Sequence, residues 1–187
     1  MKIMMSQKFK EEALERIMSR GKNDYSSVSS SVREIIENVK KEGDKAVLRY
    51  TEKFDNASLT QQRLKVAENE VKEAYKKLKR SQIAALKKAA ANITRFHEEQ
   101  IENVWSLKVT KGVTLGQVTR PLSSVGIYAP GGRASYPSSV LMCTIPARAA
   151  GVKRILVCSP PRAKGDVNPA LIVAADIAGA TDFYRIG

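Results

Sequence analysis

A strand–helix–strand pattern between residues 121 and 161 constrains this chain more than any other feature. An apolar run, Val125 to Ala129, leads into Pro130-Gly131-Gly132. An apolar segment of helical length follows, and a second apolar run, Ile155 to Cys158, completes the unit. Strands joined by a helical crossover lie parallel in one sheet. In such units ligands gather at the carboxyl ends of the strands, where backbone N–H groups and a helix N-terminus face outward. The pattern therefore predicts a site for an anionic cofactor or substrate at the glycine turn.

The pattern extends in both directions. Ser138 to Ala150 reads as the crossover helix, with Pro137 near its first turn, Gly151 at its stop, and Pro146 expected to kink or shorten it. Pro169 opens a further helix, Ala170 to Ala178, stopped by Gly179, and Asp182 to Ile186 reads as a third strand. Upstream, residues 1–102 read as helical. Met5 to Met18 forms a first amphipathic arm, ending near Gly21. Ser31-Val32-Arg33-Glu34 reads as a capping box ahead of Ile35, Ile36 and Val39. Gly43 stops that helix, and Asp44 caps another through Tyr50, closed by a turn at Phe54-Asp55-Asn56. Ala67 to Leu78 is a third strong helix, and Ser81 is expected to cap a fourth. Residues 103–120 alternate apolar and polar positions around Lys111-Gly112, the signature of a β-hairpin.

Composition excludes several classes. No apolar stretch approaches the roughly 20 residues of a membrane span, and the charged N-terminus lacks the apolar core of a secretory signal. The net charge of +13 invites a nucleic-acid reading. Against it, the lysines alternate with glutamates on helices and no aromatic residues interleave with them as a stacking surface requires. Cys143 and Cys158 fall inside apolar segments and read as buried thiols in a reducing compartment. The single histidine, His97, reads as a structural or solvated helix residue. One histidine and two separated cysteines do not make a zinc site, so no metal ligand is assigned. No serine-nucleophile elbow, phosphate loop or Gly-x-Gly-x-x-Gly motif is present, and no catalytic residue is assigned. Tyr128, two residues before the turn, can lay its ring against a nucleotide or cover the sheet edge. Ser138 and Ser139 suit helix capping or anion binding, and Arg133 suits phosphate neutralisation or solvent.

Several blocks in order, among them Val125-Gly126-Ile127-Tyr128-Ala129-Pro130-Gly131-Gly132, Tyr136-Pro137-Ser138-Ser139-Val140-Leu141-Met142 and Ile145-Pro146-Ala147-Arg148-Ala149-Ala150-Gly151-Val152, strongly resemble histidinol dehydrogenase. Tyr50-Thr51-Glu52-Lys53-Phe54-Asp55, Arg95-Phe96-His97 and Ala175-Asp176-Ile177-Ala178-Gly179 do so as well. The resemblance implies a zinc-requiring enzyme, a cytoplasmic homodimer, that oxidises L-histidinol to L-histidine through L-histidinal in two NAD-dependent steps. It implies NAD contact for Tyr128, which matches the family's tyrosine before the Pro-Gly-Gly turn. The zinc ligands, substrate contacts and acid–base pair of the family come from a later part of its sequence. The chain is therefore expected to be its N-terminal portion, truncated, without zinc ligands, and inactive alone; a non-enzymatic paralogue acting as an assembly or binding module is the alternative. The expected fold is α/β: a helical N-terminal region (1–102), a β-hairpin connector (103–120), and an incomplete Rossmann-like parallel sheet forming a partial NAD-binding domain (121–187). An unfinished sheet predicts homo-oligomers, with no nucleic-acid or membrane partner.

Overall fold

The computed structural model describes residues 26–102, 104–131 and 134–187, together with Leu14 and Met18. The expected arm over Met5 to Met18 thus lies, apart from two residues, outside the described residues. The chain divides into two compact units, Met1–Ala46 and Val47–Gly187.

In the first unit α1, Ser26–Glu42, begins before the expected capping box. Ser31 is therefore inside the helix and caps nothing. Val28, Val32 and Ile36 remain exposed along one side. After Gly43 the chain re-enters a helix at once as α2, Asp44–Asp55, which runs across the boundary of the two units. It continues five residues beyond Tyr50 because Tyr50 and Phe54, one turn apart, stack with ring centroids 5.8 Å apart.

The second unit holds a short helix α3, Gln61–Leu64, then α4, Glu68–Lys77, and α5, Arg80–Glu98. Ser81 does not cap α5. The N-cap is Lys79, whose N–H donates to Gln82 Oε1 at 2.9 Å. A β-hairpin follows, β1 (Trp105–Thr110) paired antiparallel with β2 (Val113–Gln117). The α/β part is β3 (Ser124–Tyr128), α6 (Pro137–Ala149), β4 (Arg154–Ser159), α7 (Pro169–Ala178) and β5 (Asp182–Arg185). Pro146 neither breaks nor shortens α6. The carbonyl it deprives of a partner belongs to Met142, a residue on the exposed side of the helix.

The three strands lie parallel in the order β3-β4-β5. With strand order following chain order, right-handed crossovers place α6 and α7 on the same face. Val125, Ile127, Ile155, Val157 and Phe183 point to that face and join Val140, Leu141, Ile145 and Leu171 in one core. A second helical layer lies over the first, α5 against α6 and α4 against α7. This explains why α7 is apolar all round, with Leu171 to Ala175 buried in succession: it is covered by the sheet beneath and by helices above. The outer edge of β5 pairs with the stretch before α4, where the Val66 N–H donates to Phe183 O at 2.8 Å.

Charged groups tie this arrangement together. Arg185, 2 % exposed, donates from Nη1 to the carbonyls of Arg63 (2.7 Å) and Lys65 (3.1 Å), and from Nη2 to Glu70 Oε1. The other Glu70 oxygen accepts the Ala67 N–H at 3.0 Å, closing the start of α4. Among the described residues no helix is long and apolar enough to cross a membrane.

Candidate functional site at the carboxyl end of the sheet

The carboxyl ends of β3 and β4 and the turns leaving them form the candidate site. Beyond the strands the ladder continues: the Ala129 N–H donates to Cys158 O (2.8 Å) and the Ile186 N–H to Ser159 O (3.0 Å). These bonds fix the backbone up to Pro130-Gly131. Gly131 passes so close to β4 that a Cβ there would lie 2.2 Å from Ser159 Oγ and 3.2 Å from Leu171 Cδ1. Glycine at 131 thus answers a need for close approach. Ser159 is fully buried, and its hydroxyl has no hydrogen-bond partner among the described residues.

Tyr128 is the last residue of β3 and is 58 % exposed. Alternation along the strand explains its direction. Ile127 enters the core beneath α6, so Tyr128 emerges on the opposite face, which α6 and α7 leave open. In register across the sheet lie Tyr128, Cys158 and Tyr184, a row of two tyrosines with a thiol between them. Cys158 is half-buried, and burial raises its thiol pKa, so the group is a protonated apolar surface at neutral pH. Cys143, expected to be buried, is exposed. It lies on the side of α6 turned away from Val140, Leu141, Thr144 and Ile145.

The helix starts at this end differ. At α7, Asn168 Oδ1 accepts the Ala170 N–H (2.9 Å), and its amide Nδ2 donates to Ser135 Oγ (2.7 Å). At α6 the N-cap is Tyr136, which gives no side-chain cap, and Pro137 opens the helix. Ser138 and Ser139 sit inside the first turn, so neither takes the capping role expected of it. Pro137 has no N–H, and the Ser139 and Val140 N–H groups donate to Tyr136 O (3.1 and 3.4 Å), so of the first-turn amides that of Ser138 faces outward. Gly132 and Arg133 lie outside the described residues.

His97 stands elsewhere, near the end of α5, with Nδ1 2.6 Å from Gln100 Oε1 and its ring edge-on to Phe96. Among the described residues no three of His, Cys, Asp and Glu converge as a metal requires. The strand end thus offers an exposed aromatic ring, an uncapped helix start and a close-packed glycine turn. Those features can seat a flat, anionic ligand, and the Asp55 carboxylate lies at the same end of the sheet, against Gly187. Sequence reasoning reached Tyr128 and the turn. It missed the Gly131–Ser159 contact, whose only trace in the sequence is a small residue at the end of the second apolar run.

Known proteins resemble this chain in sequence and in fold. The family model described as histidinol dehydrogenase matches residues 18–187. The histidinol dehydrogenase of Caldanaerobacter subterraneus subsp. tengcongensis is 48 % identical over 172 residues, covering 92 % of this chain and 40 % of that protein. That of Methanothermobacter thermautotrophicus is 42 % identical over 185 residues, covering 99 % of this chain and 43 % of its own length. The crystal structure of histidinol dehydrogenase from Elizabethkingia anophelis superposes with a TM-score of 0.81 at 39 % identity, covering 86 % of this chain and 36 % of that one. The chain spans about 40 % of the length of the curated relatives it matches. With a matching family model over nine-tenths of its residues and an α/β fold shared with a solved member, the chain belongs to the histidinol dehydrogenase family.

Proposed function

We propose that this chain supplies the N-terminal, dinucleotide-holding part of an enzyme that oxidises L-histidinol to L-histidine by way of L-histidinal in histidine biosynthesis. NAD, when bound, supplies the hydride acceptor. The single observation that carries the reading is Tyr128, exposed at the carboxyl end of β3 beside a glycine turn and an uncapped helix. Its ring packs against a flat portion of the dinucleotide, and its hydroxyl donates to a phosphate or ribose oxygen. The start of α6, with the Ser138 N–H, faces the pyrophosphate. Gly131 lets the backbone lie close against β4, which holds that turn in place.

Removing a proton from the substrate needs a base within hydrogen-bond reach. One carboxylate, that of Asp55, lies at this end of the sheet against Gly187, and burial raises its pKa. This chain's part is to hold and orient the dinucleotide, and by itself it is expected not to turn histidinol over. Titration calorimetry with NAD tests the reading. Binding by the chain, weakened about tenfold or more in Tyr128→Ala with thermal stability unchanged, is the expected result, since a stacked aromatic contributes about 1–3 kcal/mol. Equal NAD binding by the two proteins overturns the role of Tyr128. Histidinol oxidation by the chain alone overturns its inactivity.

A further inference from the structure

The start of α5 breaks a rule that stable helices keep. A helix N-terminus is a positive pole and favours acidic residues in its first turn. The first turn of α5 holds none: Lys79 is the N-cap, Arg80 is the first helical residue, and Lys76 and Lys77 close α4 just before it. The alternation of lysine with glutamate, which argues against a nucleic-acid partner, holds only as far as Glu73. From Ala74 to His97 the chain carries seven basic residues and no acidic one. Two of the seven are answered nearby. Lys76 pairs with Glu73 at 2.6 Å, and Arg95 has Glu98 and Glu99 within a turn. Lys77, Lys79, Arg80, Lys87 and Lys88 are exposed, and none forms an ion pair among the described residues.

Helical geometry gathers these cations. Seven or eight residues bring Lys87 and Lys88 back to the side of α5 that carries Arg80, about 12 Å along the axis. Leu86, Ala90 and Ile93 turn the other side of the helix into the core, so the cations project from the outer side of the helical layer. The residues between and beyond them on that side, Ala84 and Ala91, are small and exposed. This composition selects the partner. An interfacial membrane helix needs large apolar residues flanking its basic face, and an acidic polypeptide is held by aromatic and apolar anchors. A single nucleic-acid strand needs rings to stack on. None of these stands among the five cations. A duplex needs only neutralised phosphates: about 12 Å of its axis presents about seven of them, enough to meet every cation. We infer that the outer face of the α4–α5 corner is a surface for the phosphate backbone of duplex nucleic acid, bound without regard to sequence. The inference stands apart from the proposed cofactor role.

The test follows the fluorescence anisotropy of a labelled DNA duplex of mixed sequence, about 20 base pairs long, between about 50 and 200 mM salt. Micromolar binding is expected, with the logarithm of affinity falling against that of salt at a slope of about −4.5 for five phosphate contacts. Lys87→Gln/Lys88→Gln should flatten that slope by about 2 with the melting temperature unchanged, since both residues are exposed and glutamine suits a helix. Lys108→Gln/Lys111→Gln in the hairpin removes the same charge from another exposed place and should leave the slope nearly unchanged. No salt-dependent binding overturns the inference. So does equal flattening in the two variants, which would make overall charge the cause. Tighter binding to a single strand of the same length, or binding confined to vesicles containing phosphatidylserine, also overturns it and gives the face to a different partner.

Discussion

Replacing Gly131 with alanine tests the packing of the candidate site directly. Its φ lies outside the left-handed region, so alanine meets no backbone strain there. In open space the change would stabilise the chain by about 0.4–1 kcal/mol, through the entropy of the unfolded state. The structure opposes this. The new methyl would stand 2.2 Å from Ser159 Oγ and 3.2 Å from Leu171 Cδ1. Ser159 cannot retreat easily, since its carbonyl accepts the Ile186 N–H at 3.0 Å and β4 is paired on both sides. Overpacking of this kind costs about 1–3 kcal/mol. Set against the entropic gain, the net loss is about 1–2 kcal/mol, a fall in melting temperature of roughly 2–8 °C for a chain of this size. Ser159→Ala removes the crowding atom, and that hydroxyl has no hydrogen bond to lose among the described residues. The double variant Gly131→Ala/Ser159→Ala should therefore recover about 1 kcal/mol relative to additivity, with Leu171 accounting for what remains. Urea unfolding followed by circular dichroism gives the cycle, with unchanged m-values as the check on comparability. A Gly131→Ala variant more stable than the parent, or an equal loss with and without the Ser159 hydroxyl, refutes the argument.

Two further predictions concern ionisation. Tyr75 donates to Asp176 Oδ2 at 2.7 Å, joining α4 to α7, and burial, followed by that bond, pushes its pKa up to about 12. Its contribution is complete below the ordinary tyrosine value of about 10 and is lost as pH rises through the folded value. Tyr75→Phe should cost about 1 kcal/mol at neutral pH and flatten the alkaline fall in stability; an unchanged alkaline slope by chemical denaturation would refute it. Lys65 Nζ lies 2.5 Å from Asp182 Oδ1 and, chiefly through that hydrogen bond, holds the Asp182 carboxyl below the usual range. Asp182→Asn should lower the melting temperature at neutral pH, and the difference should close in acid as pH falls through the depressed folded pKa, a closure that calorimetry across pH would detect.

Much of the α/β half was legible because its signals are local. Short apolar runs, Pro137 and Pro169 at helix starts, and Gly179 at the end of α7 each act within a few residues, and each element formed within a residue of where it was expected. What escaped depends on distant partners. The short helix α3 has no periodic face to announce it; it is held by Arg185, whose Nη1 reaches the Arg63 carbonyl across 122 positions of sequence. The starts of α1 and α5 were misjudged because a serine in the right place looks like a cap whether or not the helix begins earlier. The exposure of Cys143 was hidden because an apolar helix does not reveal in its sequence which side will be covered. At the candidate site, Tyr128 was visible from its distance to the glycine turn. The crowding of Gly131 against Ser159, 28 positions away, required the fold.

The pairing of Val66 with Phe183 has a further consequence for how this sheet can grow. One flank is already occupied by a short antiparallel segment. Among the described residues, the unpaired backbone therefore belongs to β3. A newcomer strand hydrogen-bonding there would reverse the direction in which strands are added. In open α/β sheets, the cleft that receives ligands opens at such a reversal. Tyr128 stands at the end of β3, so a strand added there would also wall in any ligand seated beside that ring.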